Sequence, residues 1–145
     1  MRLYPILLLT LFFPACMWLG DFAAARTEAA KSHKLILINF SGSDWCGPCI
    51  RLRKEILESA EFETFANSHL VLVRADFPRQ KKNQLQKEQV SRNEKLAEKY
   101  NIDGKFPYTV LVDENGKSLK SWDGFPNESP AKFVDEIKSV THDSK

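Results

Sequence analysis

Two periods of apolar and polar residues divide this chain into strands and helices. Leu35 to Phe40 and Leu70 to Val73 are short apolar runs of strand length, the pattern of strands covered on both faces. The second strand ends near Arg74-Ala75-Asp76. Around these runs the period becomes helical. From Asp21 to Lys31, Asp21 is a candidate N-cap and Phe22, Ala25 and Ala29 share one face. From Cys46 to about Ser59, Ile50, Arg53, Ile56 and Leu57 form a stripe flanked by Arg51, Lys54, Glu55 and Glu58, with a short helical extension through Phe62 and Phe65. The polar stretch Phe77 to Gln84 leads into a helix over about Leu85 to Tyr100, whose few apolar positions predict a surface element. Pro107 to Val112 reads as a third strand, and Asn115-Gly116 as a two-residue hairpin turn into an antiparallel strand, Ser118 to Trp122. Ser129-Pro130 is an N-cap followed by proline at the first helical position, and Phe133, Val134, Ile137 and Val140 recur at helical spacing behind it. Alternation that ends in a hairpin predicts an α/β fold with a mixed central sheet and helices on both faces.

With 145 residues the chain has room for one globular domain and an N-terminal extension. A formal charge of +2, with basic and acidic residues interspersed, leaves no electrostatic footprint for nucleic acid. Arg79 to Lys87 is the densest basic stretch; it reads as a solvated loop, with a docking surface for a partner as the sharper alternative. The N-terminus resembles a targeting segment: Arg2, an apolar core from Leu3 to Phe13, then Pro14 and Ala15. That core is too short to span a bilayer comfortably, which favours export over a permanent anchor. Two processing sites compete. Ala23-Ala24-Ala25 satisfies the small-x-small rule, and Phe13-Pro14-Ala15-Cys16 resembles a loose lipoprotein box with Cys16 as the lipid-bearing residue. Cutting after Ala25 would delete the first turn of the Asp21 helix, so residues 1–16 are assigned as signal peptide, with a lipoprotein signal as one form of it, and 17–145 as the folded domain.

Chemistry concentrates at Cys46-Gly47-Pro48-Cys49, two thiols one helical turn apart at a helix start. Unpaired N–H groups and the helix dipole there favour an anion and lower a thiol's pKa, so Cys46 is the candidate nucleophile and Cys49 the resolving thiol. Pro48 is tolerated in the first turn, where its missing N–H has no intrahelical partner. Half of a zinc site has the same spacing, but zinc needs two further ligands at matching spacing, and His33, His69, His142 and Cys16 are scattered singly.

Together, Trp45-Cys46-Gly47-Pro48-Cys49 after a buried strand, Pro107 opening the third strand, and the closing hairpin and helix resemble the thioredoxin superfamily over roughly residues 18 to 140. More narrowly, Phe40-Ser41-Gly42-Ser43-Asp44-Trp45-Cys46 resembles exported thioredoxin-like proteins of bacteria, some of them periplasmic disulfide reductases. The resemblance implies a thioredoxin-like fold, a cis peptide before Pro107, and a substrate groove built from Trp45, Gly47, Pro48, Phe106 and Pro107. An ordinary trans proline is the plain alternative at Pro107, and simple packing the plain alternative at Trp45. Partners would be disulfide-containing exported proteins and a membrane electron donor, with membrane contact only through a lipid on Cys16. No organic cofactor or metal is implied, because the dithiol itself carries two electrons. Gly47-Pro48 points to a reductase; an isomerase, an oxidase or a non-catalytic binding module are the alternatives. Two departures from the family stand out: Asn39 occupies the place of a buried acid, and bulky Phe106 precedes the proline. Asp76 is a candidate substitute base, and Asp44 a candidate to perturb the Cys46 thiolate.

Overall fold

A computed structural model of the chain describes residues 15–142, so the targeting segment through Pro14 lies outside the described residues. The elements run β1 (Trp18–Leu19), α1 (Phe22–Ser32), β2 (Leu35–Ser41), α2 (Gly47–Leu52), a π-helical turn (Arg53–Leu57), α3 (Ala60–His69), β3 (Leu70–Asp76), a 3-10 turn (Lys81–Asn83), α4 (Lys87–Tyr100), β4 (Tyr108–Val112), β5 (Ser118–Asp123) and α5 (Pro130–His142). They build a five-stranded sheet in the order β1-β3-β2-β4-β5. β3 pairs parallel to β1 and β2, whereas β4 pairs antiparallel to β2 and β5. The predicted mixed sheet between two helical layers is the one observed.

Side-chain alternation in the central strands divides the core in two. Leu37, Leu72 and Leu111 face α2, α3 and α5, where Leu52, Ile56, Leu57, Phe62 and Phe133 complete one cluster. Ile36, Ile38, Phe40, Val71, Val73 and Val110 face the other way, onto Ala25 and Ala29 of α1 and Leu96 of α4. Asp21 caps α1 as predicted, accepting the N–H groups of Ala23 and Ala24 at 2.9 and 3.3 Å. α4 buries only Asn93 and Leu96. Polar contacts secure it: Asn93 donates to the Asp76 carbonyl at 2.8 Å, and Gln89 donates to the Gly20 carbonyl at 2.7 Å.

Four details differ from the elements expected of the sequence. β1 is too short to show a period, and its pairing with β3 supplies what its own residues cannot signal. The helix expected from Cys46 to Ser59 is broken by the π turn, where the Glu58 N–H reaches the Arg53 carbonyl at 2.9 Å. In a straight α-helix Arg53 would share the buried stripe; the wide turn gives that place to Leu52, Ile56 and Leu57 and leaves Arg53 ion-paired with Glu58 at 3.7 Å. Beyond the turn, α3 is a separate helix capped by Ser59. The Asn115-Gly116 turn is also longer than expected. The Asp113 carbonyl accepts the Gly116 N–H at 3.0 Å, and only Gly116, at φ +83°, is left-handed, so a three-residue loop with a glycine bulge replaces the two-residue turn. The Asp113 carboxylate decides this by accepting the Asn115 and Lys117 N–H groups, both at 2.9 Å. Finally, α4 begins at Lys87 rather than near Leu85, after the 3-10 turn.

Candidate active site

β2 ends under the first turn of α2, and the loop between them leads into the two cysteines. Cys46 is the N-cap of α2: its backbone is extended, its N–H donates to the Gly42 carbonyl at 2.9 Å, and its Sγ accepts the Cys49 N–H at 3.3 Å. Cys49 lies one turn on, where its Sγ accepts the Gly42 N–H at 3.4 Å. The two sulfurs are joined as a disulfide across a Cα separation of 5.2 Å. Cys46 and Cys49 are only 5 % and 3 % exposed, so the oxidised pair is nearly covered. Gly47 and Pro48 are the exposed part of the motif, with open space where a Gly47 side chain would stand.

Beside the pair stands an aromatic group. Trp45 packs edge-on against Phe106 at a centroid distance of 5.4 Å, and Phe106 in turn packs edge-on against Phe77 at 5.4 Å. The Trp45 indole N–H donates to the Phe77 carbonyl at 2.8 Å, and the Arg79 guanidinium lies 3.6 Å over the indole ring. Phe106 therefore has a packing reason for its bulk: it fills the space between two rings. The Phe106-Pro107 peptide is cis, as the family resemblance implied, and the carbonyl of the buried Pro107 accepts the Gly124 N–H at 2.9 Å. Gly42, to which no role attaches from the sequence alone, sets the seat of Trp45. A Cβ there would come within 2.3 Å of the indole ring. Gly42→Ala should accordingly unseat Trp45 and destabilise the oxidised protein by about 1–3 kcal/mol, the usual cost of overpacking. Denaturant unfolding followed by tryptophan fluorescence measures this, and an unchanged midpoint would show that the ring moves aside freely.

The two carboxylates singled out from sequence hold loops. Asp44 accepts the N–H groups of Arg79 and Gln80, each at 2.9 Å, and the Asn83 side-chain amide at 3.0 Å. The Arg79 N–H, foremost among these donors, holds the Asp44 carboxyl below its ordinary range. Because the folded value is depressed, this anchoring is complete above the unfolded pKa of about 3.9 and is lost as pH falls through the folded one. The Arg79 and Gln80 amide resonances should therefore titrate together below about pH 3.9, and in Asp44→Ala the acid transition at those amides should vanish. Asp76 accepts the Ser43 N–H at 2.9 Å, the Ser43 hydroxyl at 2.5 Å and the Phe77 N–H at 3.0 Å. Both of its oxygens thus hold the loops on either side of the site.

Asn39 is 3 % exposed and donates its amide to the Thr109 hydroxyl at 3.2 Å. Across the strand pair its partner is Arg74, whose guanidinium lies 4.1 Å over the Trp18 ring and is pushed below its ordinary pKa, chiefly by burial. Cys16 is not brought to the dithiol. Trp18 pairs with Leu72 while the dithiol follows Ser41, which pairs with Asp76, so Cys16 lies at the opposite pole. The Sγ of its half-buried thiol lies 3.4 Å from both the Glu63 carbonyl and the Asn67 side-chain oxygen, which share its one proton, and burial pushes its pKa up. Among the described residues no three His, Cys, Asp or Glu side chains converge as a metal-ion site, and no helix is long and apolar enough to cross a membrane.

A family model described as a thioredoxin-like domain matches residues 22–141. The chain belongs to the thioredoxin superfamily. This thioredoxin-like chain is 40% identical over 120 residues to the disulfide bond reductase DsbH of Chlamydia pneumoniae, covering 83% of the chain and 70% of that protein. It is 30% identical over 122 residues to the thioredoxin-related protein DsbJ of the same organism, covering 83% of the chain and 34% of that longer protein. Among solved structures, a DsbH oxidoreductase superposes with a TM-score of 0.80 at 36% identity, over 89% of this chain and 86% of the other. With a close cysteine pair capping α2 of a thioredoxin-like fold, the protein is a thiol-disulfide oxidoreductase.

Proposed function

We propose that this protein is an exported protein-disulfide reductase in which Cys46 attacks and Cys49 resolves. The carrying observation is Cys46 at the N-cap of α2 with its sulfur accepting the Cys49 N–H, since a group that stabilises sulfur charge there lowers the thiol's pKa. In the reduced protein the Cys46 thiolate attacks one sulfur of a substrate disulfide. The substrate S–S bond breaks, its leaving sulfur takes a proton, and a mixed disulfide forms on Cys46. Cys49 then loses its proton and attacks the Cys46 sulfur, forming the intramolecular disulfide and releasing the second substrate thiolate, which is protonated. Two electrons and two protons pass to the substrate, and a dithiol-bearing membrane donor restores the pair. Exposed Gly47 and Pro48 and the cis Phe106-Pro107 bond, with Trp45 beside them, support a groove in which an extended substrate segment lies next to the sulfurs.

Export rests on the Leu3 to Phe13 segment, and the substrates are then disulfide-containing exported proteins. Processing near Ala15 and Cys16 is supported by the folded elements that begin immediately after them: a cut after Ala25 would remove β1 and the buried Ala25 itself. A lipid on Cys16 would anchor the protein at the pole away from the dithiol.

The equilibrium reduction potential of the Cys46/Cys49 pair in defined thiol buffers tests the direction. Gly47-Pro48, with no histidine inside the motif, leads us to expect a value near the thioredoxin end, about −270 mV, whereas a value near −120 mV, roughly that of a strong oxidant, would move the protein to an oxidase or isomerase.

A further inference from the structure

We propose that the segment from Phe77 to Lys87 is a cationic docking rim that selects substrate disulfides flanked by acidic residues; this deepens, and rests on, the reductase reading. Arg79, Lys81, Lys82 and Lys87 lie in this stretch with no Asp or Glu among them, although the whole chain carries a formal charge of only +2. All four are exposed, and among the described residues none is ion-paired. Their charge is therefore open to a partner.

Two further observations tie this charge to the dithiol. Asp44, two residues before Cys46, fixes the segment beside the dithiol through the backbone N–H groups of Arg79 and Gln80 and the Asn83 amide, so the cationic side chains of the loop stay unpaired by it. The Arg79 guanidinium is stacked on Trp45, which adjoins Cys46 and also packs against Phe106, the residue before Pro107. Stacking of this kind leaves the N–H edge of a guanidinium free to pair a carboxylate. A substrate segment lying along Pro107 thus meets fixed positive charge beside the reacting sulfurs. An anionic bilayer fits less well, because pressing it onto this rim would cover Gly47, Pro48 and the groove they border.

Pre-reduced full-length protein, after any processing, is mixed with three disulfide-bridged peptides of equal length whose flanks are acidic, neutral or basic, and with the uncharged 2-hydroxyethyl disulfide. Single-turnover rates are compared at about 20 mM and about 500 mM salt, where screening lengths differ several-fold. The expected result is an acidic peptide reduced about tenfold faster than the neutral one at low salt, with the preference gone at high salt. In Lys81→Glu/Lys82→Glu, which brings the segment's charge from four positive to zero, the preference for the acidic peptide should be lost, with 2-hydroxyethyl disulfide reduced at the unchanged rate, which also shows that the variant is folded. Equal rates for the three peptides, or a preference untouched by the variant, would overturn the rim. So would a variant that loses only its binding to phosphatidylglycerol vesicles. If the unaltered protein fails to reduce 2-hydroxyethyl disulfide, the reductase reading falls first and the rim falls with it.

Discussion

Cys46→Ser is expected to reduce protein-disulfide turnover by on the order of 10³-fold or more, because the hydroxyl that replaces the thiol is not ionised near neutral pH and cannot form the mixed disulfide. Cys49→Ser should behave differently. It keeps the attacking sulfur at the α2 N-cap and removes the thiol that receives the Gly42 N–H, so it should trap substrates on Cys46 as stable mixed disulfides. Non-reducing electrophoresis of the two variants after incubation with a disulfide protein separates the roles. Trapping by Cys46→Ser with none by Cys49→Ser would reverse the assignment, and trapping by neither would leave the pair as a structural disulfide.

Asn39→Asp should produce the second large effect, on stability and its pH dependence. Asn39 is buried on the face of β2 that looks towards α2, with the Thr109 hydroxyl as its partner. An aspartate there keeps one hydrogen bond, since the hydroxyl can donate instead of accepting, but its charge must be desolvated. Burial raises the folded pKa above the unfolded value of about 3.9, and Arg74 across the strand pair offsets only part of that. A carboxyl with a raised folded pKa keeps its proton longer in the folded state, so the variant loses stability as pH rises above the unfolded pKa. We expect a deficit of about 3 kcal/mol relative to the native protein at pH 8, shrinking towards zero below about pH 4. Denaturant unfolding of both oxidised proteins across this range checks it, and a deficit independent of pH would mean that the cost is packing alone. The same variant should release mixed disulfides about tenfold faster near neutral pH, because the new carboxylate can accept the Cys49 proton where an amide cannot.

Residue types declare some of this chemistry, and packing assigns the rest. Cys46-Gly47-Pro48-Cys49 is legible because the reaction needs two thiols one turn apart at a helix start, and that spacing is local. The α/β class is legible for a similar reason: runs such as Leu35 to Phe40 are long enough to show their period. The Asp21 and Ser129 caps are legible because a cap is decided within four residues.

Three kinds of feature are not. A two-residue strand such as Trp18–Leu19 has no period, and only the open edge of β3 makes it a strand. The π turn at Arg53–Leu57 is a compromise between an i+4 ladder and the need to bury Ile56 and Leu57 together, which no residue in the segment announces. Asp76 looks like a candidate base and Asp44 a candidate to perturb the Cys46 thiolate because a carboxylate near a dithiol has the same signature in sequence whether it acts on the sulfurs or anchors a loop. Their partners lie more than thirty residues away in several cases, among them Asp44 with Arg79 and Ser43 with Asp76, and only the folded chain brings them together. The thiol pair, the helix it caps and the layering of the sheet are thus written in the chain itself, because each depends on near neighbours. The surroundings of the sulfurs are not. The Phe106 wedge and the Asp44 clasp on the cationic loop come only with folding, since they depend on distances between residues remote in sequence, which composition and period do not encode.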